Sequence, residues 1–407
     1  MKPEYRLYSA VRLPEDPPAW AEIDLSALCH NYQRICAHLS EHSASTRPIA
    51  VVKADAYGHG APECVKALLR QGCDFFAVAS LAEAMAVRVA CAEEGRAASV
   101  LILGYTNPRH ARELAALDLI QALLSADYAN ALAKEATACG VVIRSHIAVD
   151  SGMNRLGFPA RDDGEIESTA AEITRLASLP GLSVEGMFSH FAAADAKEPS
   201  FGADFTRLQR NRYDTLRRKL EALGVKIPFH HFANSAATLS GDPETLMHGA
   251  RVGILLYGVD PCGKEQELSL RPVMKLKTRI IHIHPLPAGE PLGYGCAYRA
   301  DTPRVIATLP IGYADGFLRS YGGELVTVRH GDSTLEAPLV GRICMDQCMI
   351  DVTGLPVAVG DEVTLFGETP EQLKRLSASA NTIDYEVLCL VSARVPRIYT
   401  DFEKKEP

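Results

Sequence analysis

Between residues 46 and 258, short apolar runs of strand character alternate with longer stretches rich in Ala, Leu, Glu and Arg. Eight such runs follow one another: PIAVVKA, FFAVAS, VLILGY, IQALLS, IRSHIAV, VEGMFSHF, FHHFANS and RVGILLYG. The stretches between them, among them LAEAMAVRVACAEEG, ANALAKEATACG and FTRLQRNRYDTLRRKLEALG, have helical character, and the last ends in a glycine stop. Parallel strands need a crossover long enough for a helix, so this rhythm constrains the chain to a parallel sheet. Eight βα units in roughly 210 residues suit a closed (β/α)8 barrel of the TIM type. The alternative, an open doubly wound sheet, would be expected to carry a GxGxxG dinucleotide fingerprint, which is absent.

Ahead of the first run, LSALCHNYQRICAHL places Leu25, Leu28, Tyr32, Ile35 and Leu39 on one helical face. Beyond residue 270 the texture changes to β-branched residues, glycine turns and alternation, as in GELVTVRHGDSTLEAPLVG and VAVGDEVTLFGE, and predicts a separate β domain. The chain is read as an extension over residues 1–18, a barrel over 19–270, a β domain over 271–400 and a charged tail over 401–407. With 407 residues, 47% of them hydrophobic, two cores are within reach. A net charge of −8 supplies no field for nucleic acid, and small-molecule chemistry is the better expectation. The first twenty residues contain no signal-peptide core and no later run is long enough to span a bilayer, which predicts a cytoplasmic protein. Eleven cysteines without CxxC pairs read as reduced residues rather than a disulfide framework, and no metal site is expected.

In a barrel, functional groups belong at the carboxyl ends of strands. Lys53 lies within the apolar run PIAVVKADAYGHG, where an imine with an aldehyde cofactor would explain it; a lysine snorkelling at a strand end is the alternative. Arg155, in VDSGMNRLGF, is able to aim a guanidinium at a carboxylate or to stand on the surface. His190 ends FSHF, and Ser235 and Gly253 fall where the loops after strands seven and eight commonly bind phosphate. Arg251 heads the eighth run, where a buried guanidinium needs acceptors. Tyr294 in GYGCAY and Tyr313 in IGYADGF are either functional hydroxyls or packed aromatics. His282 and His284 share one strand face in IHIHP without defining a metal site.

These strings, from AWAEIDLSAL to VPRIYTDF, closely resemble the alanine racemase family of fold-type III enzymes dependent on pyridoxal 5'-phosphate (PLP). Its most specific pieces here are VVKADAYGHG, GMNRLGF, NSAATL, RVGILLYG, LPIGYADG, GRICMDQCMIDVT and DYEVL. The resemblance implies an amino-terminal (β/α)8 barrel, a carboxy-terminal β domain and a homodimer with shared active sites acting on a small amino acid. It implies Lys53 as the Schiff-base lysine and one catalytic base, and Tyr294 of the other subunit as the opposing base. Tyr57, Ser235 and Tyr385, with backbone N–H groups at Gly253 and Ile254, resemble the phosphate site, with Asn234 alongside. Arg251 resembles the partner of the pyridine nitrogen, and His190 the bridge from Arg251 to the catalytic tyrosine. Arg155, with the Met345 backbone from the second subunit, resembles the substrate-carboxylate site, Arg155 also bordering the cofactor, while Tyr313 and Asp346 resemble entry residues.

Racemisation needs a base on each face of the substrate, which accounts for Lys53 opposite Tyr294. One departure stands out. Family members often carry a lysine, in some carbamylated, where this sequence has Ala148, so Arg155 must be oriented otherwise, by a bound anion or by water. The competing expectations are a serine or broad-specificity racemase, which the bulk of Tyr385 argues against, and a non-catalytic PLP-binding protein, which would lack the β domain. A decarboxylase of the same fold type would use an acid in place of Arg251.

Overall fold

The computed structural model describes residues 16–263 and 268–400. Most of the predicted amino-terminal extension, and the charged tail, lie outside the described residues. All eight apolar runs contain strands: Arg47–Val51, Phe75–Val78, Ser99–Ile102, Ile120–Leu123, Ile143–Asp150, Leu182–Phe188, Phe229–His231 and Gly249–Val252. Each pairs in parallel with the next. The sheet closes where the eighth strand returns to the first, with Gly249 opposite Arg47 and Val252 opposite Ala50. This is the (β/α)8 barrel. Its strands are buried on both faces, one by the interior and one by the helices, so they read as apolar runs rather than alternating ones.

The helices begin and end where the side chains instruct. Ser80 and Glu83 form a reciprocal capping box ahead of Leu81–Glu94, and Gly95 closes that helix at a φ of 62°. Ser125, Asp162 and Ser200 cap the helices Ala126–Ala138, Asp163–Leu176 and Phe201–Ala222 through their side-chain oxygens. The leading helix spans Leu25–His42 and buries all five of its predicted apolar residues. Asn31 fixes it by donating to the carbonyls of Leu256 and Arg271.

The chain forms two compact units, one comprising residues 28–56 and 61–271, the other comprising the described residues up to Ala27, Tyr57–Gly60 and the residues from Pro272 onward. The second unit is built on a nine-stranded sheet. Leu325–His330 and Ser333–Val340 form a hairpin around Gly331, whose φ of 56° suits the tight two-residue turn. The strand Ala19–Asp24, grouped from sequence with the barrel, pairs here instead, antiparallel with Met274–Arg279 and parallel with Arg397–Thr400. Two helices, Pro370–Ser379 and Asp384–Leu390, accompany the sheet. No disulfide joins any of the eleven cysteines, all of which lie among the described residues. No helix among the described residues is long and apolar enough to cross a membrane.

Candidate active site at the carboxyl ends of the barrel strands

Lys53 follows the first barrel strand, whose ladder continues through a bond from Val52 N to Ala77 O of 3.0 Å. The chain then turns with the opposite hand to an ordinary helix: Ala54, Asp55, Ala56 and Tyr57 all have φ between 51° and 55°. For L-residues each such conformation costs about 1–2 kcal/mol, so the surroundings must hold it. They do so at several points. Ala54 N donates to Glu83 Oε1 at 2.8 Å, Ala56 N to Val52 O at 3.0 Å, and Asp55 Oδ1 accepts from Ala61 N at 2.7 Å.

Arg251 is 5% exposed and lies on the eighth strand. Its Nη1 donates to His231 O at 2.9 Å and His231 Nδ1 at 2.7 Å; Nη2 donates to Ser189 O at 2.6 Å, Phe232 O at 3.2 Å and His190 Nδ1 at 3.3 Å. The guanidinium carbon stands 5.2 Å from the centre of the Phe188 ring. Every acceptor is neutral. Burial without a carboxylate lowers the Arg251 pKa to about 10, which still leaves a full cation at neutral pH. His190, two residues past the sixth strand, is held down to about 3 by burial and then by the charges of Arg251, Arg155 and Lys53. The barrel thus gathers three cations around one neutral imidazole.

Ser235 and Gly253 meet at the neighbouring rim, where the Ser235 hydroxyl accepts from Gly253 N at 3.0 Å. The runs containing them leave the sheet early. Ser235 opens the short helix Ser235–Leu239, and Ile254 begins the turn Ile254–Tyr257. Asn234 spends its side chain capping that helix, accepting from Ala237 N at 3.0 Å. Arg155 is exposed on a loop fixed from within. Asp150 Oδ1 accepts from Gly152 N and Asn154 N, and Arg212 Nη1 donates to Ser151 O at 3.0 Å. The Ser151 hydroxyl meets that of Ser189 at 2.9 Å. Ala148 is 2% exposed in an apolar cluster with Ala122 and Phe188, against which Leu103 and Leu124 pack.

The remaining candidates belong to the second unit. Tyr57 is buried, its phenol pKa pushed up by that burial, and its ring lies 6.1 Å from that of Tyr385. Tyr294 stands 69% exposed on a short turn between Gly293 and Gly295. Tyr313, Met345 and Asp346 come together because Tyr313 N bonds Cys344 O and Ala314 N bonds Met345 O, at 3.1 and 3.0 Å. A β-carbon on Gly312 would lie 2.3 Å from Cys344 O, so only glycine permits that approach. Arg394 joins these two loops by pairing with Asp315 at 3.1 Å and Asp346 at 2.9 Å. Sequence reasoning missed Arg394, Glu83 and His231, none of which lies in a motif that points to its partner.

The chain matches family models described as alanine racemase, N-terminal domain, over residues 23–261 and alanine racemase, C-terminal domain, over residues 273–399. It is 39% identical over 389 residues to the alanine racemase of Clostridium novyi, covering 94% of this chain and 95% of that one. Among solved structures it is similar to alanine racemase from Clostridium difficile 630, with a TM-score of 0.83, 37% identity and coverage of 95% and 97%. It is similar also to alanine racemase from Bacillus anthracis with bound L-Ala-P, with a TM-score of 0.82, 32% identity and coverage of 96% and 97%. The two family models match both halves of the chain and the relatives cover nearly all of it, and the chain belongs to the alanine racemase family.

Proposed function

We propose that this chain is a PLP-dependent alanine racemase that interconverts L- and D-alanine by a two-base mechanism, as a homodimer whose active sites draw on both subunits. The reading includes a cytoplasmic location and supply of D-alanine for peptidoglycan synthesis. The observation that carries it is Arg251, a buried cation with five neutral acceptors and no carboxylate, beside a neutral histidine and a half-buried strand-end lysine.

These residues fit the cofactor. A phosphate group requires N–H and hydroxyl donors, which Gly253, Ile254 and Ser235 offer at adjoining strand ends, with Tyr57 and Tyr385 as further hydroxyls. Lys53 would hold the aldehyde through its amine, and Arg251 would face the ring nitrogen. Once bound, the cofactor supplies an electron sink that acidifies the substrate's α-proton. Arg251 remains charged far above neutral pH and gives up no proton there, which limits the charge drawn into the ring and suppresses side reactions.

Lys53, as a free amine, moves the proton on one face; Tyr294 of the second copy serves the other. His190 Nδ1 accepts from Arg251, so its proton resides on Nε2, where it can donate to a phenolate and hold Tyr294 as a base. Arg155 pairs with the substrate carboxylate, aided by the Met345 backbone of the second copy. Its loop is oriented by Asp150, Ser151 and Arg212 rather than by a charge at position 148. The apolar neighbours of Ala148 leave an anion there poorly solvated.

The test is to incubate the purified protein and PLP with L-alanine and, separately, L-serine, and to quantify D-enantiomers by chiral chromatography, with Lys53→Ala as the blank. D-alanine formation lost in the variant supports the reading. Comparable serine turnover points to a broad racemase, and cofactor absorbance without any D-product points to a PLP-binding protein.

A further inference from the structure

Two further histidines are linked to Arg251 through the barrel interior. His231 on the seventh strand is fully buried and His146 on the fifth is 2% exposed. Arg251 Nη1 lies 2.7 Å from His231 Nδ1, and His231 Nε2 lies 2.9 Å from His146 Nδ1. A guanidinium only donates, so His231 Nδ1 must accept and carries no proton. The His231 proton then resides on Nε2 and is donated to His146 Nδ1. That contact in turn leaves the His146 proton on Nε2. One cation at the head of the chain fixes both tautomers.

The surroundings keep both rings neutral. Burial lowers the His146 pKa to about 3, assisted by Arg144, Arg251 and His230, and lowers that of His231 well below its usual range, assisted by Arg251, His146 and His230. Aromatic rings pack beside both. Phe188 stacks on His231 at 4.8 Å, and Phe75 and Phe229 lie 6.3 and 5.9 Å from His146. Gly186, opposite His146 on the sixth strand, leaves room for that ring, since a β-carbon there would lie 2.6 Å from it.

We propose that His146 is a positioning residue. By accepting the His231 Nε2 proton, it holds His231 in the tautomer that receives Arg251, and so fixes the guanidinium in the orientation the reaction uses. The inference rests on the reading of Arg251 as the partner of the cofactor ring. Without His146, the other His231 tautomer would set an N–H against the guanidinium N–H. Arg251 would then lose one of its two contacts with His231.

The test compares His146→Asn with His146→Leu. The amide oxygen of asparagine can take the place of Nδ1 as acceptor, while leucine cannot; both lose the aromatic contacts, so the packing cost is shared. Nitrogen-15 NMR of histidine-labelled protein, with and without PLP, reads the His231 tautomer directly. The expected result is an Nε2–H tautomer in the wild type and in His146→Asn, with the Nδ1–H form appearing in His146→Leu. Loss of one charge-assisted bond predicts a kcat for alanine lowered roughly tenfold in His146→Leu and largely retained in His146→Asn. An Nδ1–H tautomer of His231 in the wild type would overturn the proposal, even if neither variant folds. So would equal tautomers and equal rates in the two variants. A wild type with the tautomers as drawn but no racemisation would overturn the catalytic reading and leave the chain of imidazoles intact, so the two failures are separable.

Discussion

Lowering the pH from 7 to 5 should cost the barrel several kcal/mol through its buried histidines. His146 and His190 are held at about 3 and His230 at about 4, in each case chiefly by burial. Their folded pKa values lie below the unfolded value of 6.5, so their neutral forms contribute full stability above that pH. That stability is lost as the pH falls toward the folded values, because the unfolded chain binds protons the native chain refuses. At pH 5 the unfolded imidazole lies 1.5 pH units below its midpoint, which at 1.36 kcal/mol per unit amounts to ~2 kcal/mol for each histidine. For the three together the loss is about 6 kcal/mol, comparable to the whole stability of an ordinary domain. Glu94, Glu165 and Glu172, held down by hydrogen bonds from Arg70, Arg161 and Arg175, act later, because their contribution is lost only below 4.5. Urea unfolding followed by far-ultraviolet circular dichroism at pH 7, 6 and 5 tests the sequence of events. A midpoint that stays level to pH 5 and declines only below 4.5 would refute the reasoning.

Three substitutions probe other features. Gly186→Ala sets a methyl 2.6 Å from the His146 ring, and a loss of ~1–3 kcal/mol in urea unfolding is expected; a silent substitution would contradict the packing described. Ser235→Ala removes the acceptor of Gly253 N and, under the proposed function, one phosphate donor, so PLP titration should give a Kd raised about tenfold. Ala54→Gly, at a φ of 51°, should leave unfolding free energy unchanged or raise it by up to about 1 kcal/mol, where the same change in a right-handed helix would lower it. A clear destabilisation would show that the left-handed turn carries no strain.

The barrel was legible because its strands are buried on both faces, a pattern that survives in the sequence as eight separate, mainly apolar runs. Lys53 stood out for the same reason, as a charge inside one of those runs. The left-handed turn after it was not legible. Ala-Asp-Ala-Tyr contains no glycine and has no local preference for that conformation, which tertiary contacts such as Ala54 with Glu83 impose. Nor could local pattern reveal that Ala19–Asp24 pairs with Met274–Arg279, since edge and centre of a sheet are decided by residues far along the chain. His146 and His231 sit in different runs, and only closure of the sheet brings one ring to the other.

That closure also sets an order of events during synthesis. Lys53 leaves the ribosome about 200 residues ahead of Arg251 and Gly253, yet the strands that carry them are immediate neighbours. A nascent chain therefore carries Lys53 at an unclosed sheet edge long before the strand that bears Arg251 exists. Closure of the barrel must wait for the eighth strand to arrive, so a chain truncated before Gly249 keeps the edge of its first strand open to pairing with other chains.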